Sequence, residues 1–180
     1  MFRILSCVLL FCAAASVVSA VTLRQMSMGE MTASATAIVR ARVTGSSASR
    51  IGPTIYTHYK LQATETWKGA APAEVLLPGG TFSGLRQSFP GVPQLSPGSE
   101  YVLFLWTSSS TGITHVIGFS QGIFNVTEQA DGSMQASRPA TGETMLDSAG
   151  TPVRDRAVSI TLADMKSRVK ASALQPGVAK

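Results

Sequence analysis

The apolar positions of this chain change period several times, and each change marks an element. Ala37 to Thr44 alternates strictly: Ala37, Val39, Ala41 and Val43 share one side, and Ile38, Arg40, Arg42 and Thr44 share the other. That is the pattern of a half-buried strand. Gly45 to Pro53 is rich in Ser and Gly and reads as a turn region. A second alternation runs from Ile55 to Trp67, with Tyr59, Leu61, Ala63 and Trp67 on one face, and Tyr56, His58, Lys60, Gln62 and Thr64 on the other. Lys68-Gly69 stops it. Glu74 to Leu77 is a brief strand closed by Pro78-Gly79-Gly80. The apolar run Tyr101 to Trp106 follows a Pro97-Gly98 turn without polar interruption, which predicts a central strand covered on both faces.

Downstream, Ile113 to Ile117 and Gly122 to Glu128 read as two further strands. Ala130-Asp131-Gly132-Ser133 predicts a hairpin turn, since Asp-Gly accepts the positive φ angles a tight hairpin needs, and Ser133 to Ser137 is the returning strand. Arg138 to Asp155 is polar and reads as irregular. Helical spacing occurs twice. Met28, Met31 and Ala35 recur within a short helix over 26–35, where Ser27 and Glu30 form a capping-box pair. Thr161-x-x-Asp164 caps a C-terminal helix that turns Leu162, Met165 and Val169 inward, and the chain is expected to fray from Ser172 to Lys180.

Composition changes this picture in one respect. Arg3 is followed by an apolar core from Ile4 to Val18 and by small residues at Val18-Ser19-Ala20. This predicts a secretion signal over 1–20, cleaved after Ala20, and a periplasmic or secreted protein. The run is short for a bilayer span, so no membrane span is expected in the mature chain. Both cysteines, Cys7 and Cys12, fall inside the leader, so the mature chain is expected to hold no disulfide and no thiolate site. The remaining residues, 21–171 with a tail over 172–180, are of a size for one domain. The 15 Lys and Arg against 10 Asp and Glu give +5, or +4 once Arg3 is removed. Such a modest, scattered charge argues against nucleic acid and suits solubility.

Candidate chemistry is sparse. Gly118-Phe119-Ser120-Gln121-Gly122 matches the nucleophile pattern Gly-x-Ser-x-Gly. That mechanism needs a helix after the serine and a histidine further along the chain. A strand follows here, and the only histidines, His58 and His115, both precede Ser120. The expectation is a turn between strands, no catalytic residue and no enzyme. Met26, Met28 and Met31 could present soft thioethers to copper(I), but packing of the helix is the simpler role; no metal site and no cofactor are expected. If the first two strands pair, Arg40, Arg42, Tyr56, His58 and Lys60 fall on a common outer face, a basic and aromatic surface suited to an acidic or sugar ligand. The Pro/Gly-rich loop 78–97, with a short edge strand over 84–89, offers a second surface at Leu85, Phe89 and Val92.

The order of these elements resembles a known plan. A helix leads into TASATAIVRARV, a long strand ends in ETWKG, and AEVLLPGG, LSPGSEYVLFLW and GFSQGIFNV follow. This is similar to the netrin-like modules, whose best-known members are the tissue inhibitors of metalloproteinases, and still more to uncharacterised exported bacterial proteins of that plan. The resemblance spans Met28 to Val126. It implies a mainly β fold: a small Greek-key, OB-like barrel with a short N-terminal helix and a C-terminal helix. The inhibitors act through a cysteine at the mature N-terminus. Val21 stands there in this chain, so no inhibitory residue carries over. The expectation is an exported, non-catalytic binding or interaction module, monomeric, with a protein or glycan ligand in the cell envelope or outside it. A protease inhibitor acting through the loop 78–97 is the first alternative, and a serine hydrolase using Ser120 the second.

Overall fold

One strand organises the architecture by pairing with three others. The computed structural model describes residues 22–174; the expected leader, its cleavage site, both cysteines and residues 175–180 lie outside the described part. In chain order the elements are β1 (Thr22–Arg24), α1 (Met28–Ser34), β2 (Ala37–Ile51), β3 (Thr54–Lys68), β4 (Glu74–Pro78), β5 (Gly80–Phe82), β6 (Leu85–Gln87), β7 (Glu100–Thr107), β8 (Thr114–Val116), a 3₁₀ turn at Phe119–Gly122, β9 (Ile123–Glu128), β10 (Met134–Arg138), β11 (Thr144–Leu146), β12 (Pro152–Val153), β13 (Val158–Thr161) and α2 (Leu162–Leu174). The chain is mainly β. Its large antiparallel sheet has the order β13-β10-β9-β7-β2-β3-β4.

β7 is the hub. One of its edges pairs with β2 over Glu100–Leu105. Its other edge is shared: β9 takes Tyr101–Leu103, and β8 takes Leu105–Thr107. At the hand-over the Ile117 N–H donates to the Phe104 carbonyl at 2.9 Å. Tyr101 to Leu105 are all buried. Val102 and Phe104 face a core shared with Ile38, Phe124, Ala136 and the inner residues of both helices. Tyr101, Leu103 and Leu105 face a second core with Val39, Val43, Tyr59, Val75 and Leu77. The sheet curls around this second core until β4 lies against β8, with no ladder between these two strands.

The helices form where their caps dictate. The Glu30 N–H donates to Ser27 Oγ at 3.2 Å and the Ser27 N–H to Glu30 Oε2 at 2.8 Å, so two otherwise orphan donors are satisfied reciprocally. Met31 is buried, and Met26 and Met28 pack partly buried against the same cluster as Leu162, Met165 and Val169. The methionines therefore fasten α1 to α2 and the sheet. Thr161 caps α2 by accepting from the Asp164 N–H at 3.1 Å. No helix among the described residues is long and apolar enough to cross a membrane.

The structure departs from the sequence pattern at five places. β2 does not stop at Thr44. It continues through the Ser-rich segment to Ile51, because Ser46, Ser47 and Ser49 find Tyr59, His58 and Tyr56 as ladder partners, and the turn shrinks to Gly52-Pro53. Trp106 is 46% exposed, past the point where cover of β7 ends. The edge strand expected over 84–89 is half of a hairpin, β5 with β6. The stretch 138–155 is not wholly irregular: β11 within it pairs in parallel with β1 and antiparallel with β12. α2 runs to Leu174, three residues into the tail expected from Ser172.

Candidate functional site

The basic outer face is only partly what alternation predicts. Arg40 and Arg42 sit near the β7 end of the β2–β3 ribbon, whereas Lys60, His58 and Tyr56 pair with Gly45, Ser47 and Ser49 towards its turn. Arg40 is not a free cation. Its guanidinium bridges Glu65 at 3.2 Å and Glu100 at 3.0 Å and is largely covered. Glu65 also receives Lys166 Nζ from α2 and the Trp67 indole N–H at 3.2 Å. Lys166 does most to hold the Glu65 carboxyl down at about 2, with burial opposing and Trp67 and Arg40 assisting. Burial pushes Glu100 up, but Arg40 and Thr64 outweigh it and leave the group lowered. Arg42 donates to the Gly98 carbonyl at 2.6 Å. These contacts tie β2, β3, β7 and α2 together. In Lys166→Met, the Glu65 titration followed by NMR is expected to move up from about 2 towards the ordinary carboxylate range. Stability should change by less than about 1 kcal/mol because the pair is partly exposed. An unmoved midpoint would contradict the assignment.

His58 is engaged on both sides. Nε2 lies 2.7 Å from Ser49 Oγ, and Nδ1 lies 3.2 Å from Glu74. The order serine–histidine–carboxylate is that of a hydrolase triad. However, the row crosses three adjacent strands, and the backbone there is committed to the β2–β3 and β3–β4 ladders. The row pins edge strand β4 to its neighbour. Tyr56 leans on His115, with ring centroids 6.3 Å apart.

The loop 78–97 lies down on the sheet. The Gly79 N–H donates to the Ile55 carbonyl and the Ile55 N–H to Gln87 Oε1, both at 2.7 Å. Leu95 is buried in the second core, and Val92 packs against it. Leu85 (60%) and Phe89 (36%) are exposed, so the three expected loop residues divide into two on the surface and one turned inward.

Val92 leads to a feature that no motif announces. A pocket of about 490 Å³ is bounded by the loop Gly91–Gln94, by Tyr101 and Ile123 of the sheet, by Ser120, and by the segment Ser137–Glu143. Among the described residues, five buried side-chain polar atoms lack a hydrogen-bond partner: Arg40 Nε, Ser120 Oγ, Arg138 Nε, Thr141 Oγ1 and Glu143 Oε2. The last four belong to residues that line this pocket, with the atoms themselves beneath its surface; Arg138 also borders a second opening, and Thr141 and Glu143 a third. Buried polar groups are almost always paired, and each unpaired one costs about 1–3 kcal/mol.

Each wall is held from outside. Asp155 receives Arg138 through both Nη atoms and accepts from the Thr141 N–H at 2.9 Å. Burial pushes the Asp155 carboxyl up, but Arg138 and the Thr141 N–H outweigh it and leave the group lowered. The Gln121 side chain accepts from the Met26 N–H at 2.8 Å and donates to the Arg24 carbonyl at 2.9 Å, anchoring the turn that carries Ser120. Ahead of Ser120, Phe119 holds φ of 54°, a left-handed conformation that costs a non-glycine residue on the order of 1 kcal/mol and collects at functional sites. Gly91 holds φ of 76°, a left-handed conformation that strains other residues, and a Cβ there would crowd the end of the Glu143 side chain.

No protein-family model matches the chain, and no curated protein matches it in sequence.

Ser120 is followed by β9 rather than a helix. Neither histidine lines the pocket, so the serine has no imidazole beside it there. Among the described residues, no group of three or more His, Cys, Asp or Glu is placed to hold a metal ion.

Proposed function

We propose that this chain is an exported, non-catalytic binding module built on an OB-like Greek-key barrel of the netrin-like kind, and that its ligand enters the pocket beside Ser120. The observation that carries the reading is a pocket lined by Ser120, Arg138, Thr141 and Glu143, each of which also keeps a buried side-chain atom without a hydrogen-bond partner, beside apolar Val92, Pro93 and Ile123. A lining that sets polar groups beside apolar ones is the usual make-up of a small-ligand site. The barrel reading draws support from strand order. β2, β3 and β4 form a meander, and β7 returns by a long connection to lie beside β2, the spatial order 4-1-2-3. β8 then extends from β7 towards β4.

The inhibitor alternative is less well served, because a loop tied down through Gly79, Gln87 and Leu95 does not project. Two measurements test the binding reading. A fluorophosphonate is expected to leave Ser49 and Ser120 unmodified by intact-mass analysis; an adduct on either reassigns the protein to nucleophilic catalysis. Thermal-shift screening of the mature chain against sugars, amines, amino acids and organic anions is expected to raise the melting temperature with at least one class. That rise should disappear in Gly142→Trp. Gly142 lines the pocket and a Cβ there meets nothing within 4 Å, so a large side chain is expected to be tolerated and to obstruct the opening. No shift from any class, or a shift indifferent to Gly142→Trp, overturns the pocket as the ligand site.

A further inference from the structure

The turns at one end of the molecule carry apolar side chains where polar ones are usual. Gly52 and Pro53 close the β2–β3 ribbon, with Ile51 exposed beside them. In the β5–β6 hairpin Phe82 pairs with Leu85, and only Ser83 and Gly84 lie between them. Those two hold φ of 49° and 77°, the positive values of a tight two-residue turn. Phe82 and Leu85 are both exposed, as is Phe89 just after the hairpin. The three segments lie together. The Gly79 N–H donates to the Ile55 carbonyl at 2.7 Å, a Cβ on Gly79 would lie 3.8 Å from the Phe89 ring, and one on Gly80 would lie 3.6 Å from the Ile55 side chain. Ile55 in turn pairs with Arg50, next to Ile51, and β5 packs against both β2 and β3.

The segments themselves carry one sign of charge. Arg50 and Arg86 are exposed, and the Arg50 Nε–H donates to the Gly52 carbonyl at 3.0 Å, which keeps that guanidinium at the turn. No Asp or Glu occurs from Met31 to Thr64 or from Val75 to Ser99. The acid nearest the hairpin along the chain, Glu74, is engaged by His58 at 3.2 Å. A second copy is a poor occupant for such a patch, since a two-fold contact would set the arginines against their own images. Four side chains of about 200 Å² each, less than half exposed on average, offer on the order of 350 Å², well short of the roughly 800 Å² per partner of a stable protein interface. A lipid surface has no such threshold. Its interfacial layer takes in apolar side chains one by one, and anionic headgroups attract the arginines beside them.

We propose that this end of the molecule docks on anionic phospholipid bilayers, with Ile51, Phe82, Leu85 and Phe89 entering the interfacial layer and Arg50 and Arg86 meeting lipid phosphates. The contact is peripheral and reversible, as a few side chains allow. The surface is separate from the pocket beside Ser120, which none of these residues lines, so either reading can fail without the other.

Co-sedimentation of the mature chain with vesicles of phosphatidylcholine alone, and of phosphatidylcholine mixed with phosphatidylglycerol, tests this. The mixed vesicles are expected to bind at least tenfold more tightly than the neutral ones, and added salt should narrow the difference. Phe82→Ser with Leu85→Ser, and separately Arg50→Gln with Arg86→Gln, should each lower binding to mixed vesicles at least tenfold. Arg154→Gln with Arg156→Gln removes the same charge from exposed positions between β12 and β13 and should leave binding within twofold. The substituted side chains are all exposed, so urea midpoints should match the parent chain, which separates lost docking from lost fold. In Phe82→Trp the added indole emission should shift to the blue on mixed vesicles. No sedimentation with either vesicle, equal losses in the two arginine double variants, or an unshifted indole overturns the proposal. A dimer in sedimentation velocity that dissolves in Phe82→Ser with Leu85→Ser overturns it in favour of a second copy.

Discussion

Replacing Phe104 by alanine is expected to lower the free energy of unfolding by about 3–5 kcal/mol. Phe104 is fully buried, and its ring meets that of Phe124 with centroids 5.9 Å apart in a tilted arrangement. It stands on β7, which among the described residues is the strand that joins three others, so a void there is enclosed by paired strands and has little room to collapse. The described residues contain no cysteine, so within them burial acts without a covalent cross-link. Single domains are stable by about 5–15 kcal/mol, which makes the expected loss a large fraction of the whole. Urea denaturation monitored by circular dichroism checks it. Trp106→Ala, on the same strand but 46% exposed, should cost under about 1 kcal/mol. Equal losses for the two would contradict β7 as the packed centre.

The second large effect belongs to Asp155. Its side chain is 2% exposed, and that of its partner Arg138 is 10% exposed. Asp155→Ala leaves a buried guanidinium without its carboxylate and the Thr141 N–H without an acceptor, a combination expected to cost about 3–5 kcal/mol. Removing Arg138 as well, in Asp155→Ala with Arg138→Met, should recover much of that loss, because the unpaired charge goes too. The same pair predicts a pH dependence. The folded pKa of Asp155 is lowered, so the folded state holds this proton more weakly than the unfolded chain. The stabilisation is complete above the unfolded carboxyl value near 4 and declines as pH falls through the lower folded value. Glu65 behaves in the same sense, with its window between the ordinary value and about 2. Denaturation at pH 7 and pH 3 should show a stability difference that shrinks in Asp155→Ala.

What the sequence made legible follows from how local each signal is. Tyr101 to Leu105 can be read as a doubly covered strand because nothing polar interrupts it, and Ser27 with Glu30 predicts a cap because both halves lie within one turn. The Ser-rich end of β2 misleads for the converse reason. Serine has no strong strand preference, and its conformation is imposed by Tyr59, His58 and Tyr56 across the ladder. Arg40 looks free in sequence because Glu65 and Glu100 lie 25 and 60 residues away. The pocket is the least legible feature. Its walls come from Gly91–Gln94, Ser120 and Ser137–Glu143, which share no period and no motif. The Gly-Phe-Ser-Gln-Gly match picks out the right turn, but for a chemistry the turn does not support. The only other hint is that Arg138 and Asp155 stand at the two ends of a stretch otherwise short of apolar residues.

The parallel pairing of β1 with β11 bears on how the polypeptide matures. Among the described residues Thr22–Arg24 has Thr144–Leu146 as its one strand neighbour, so this ladder can form only after most of the chain has been made. The packing of α1 on α2 comes later still, because α2 is the last element of the described chain.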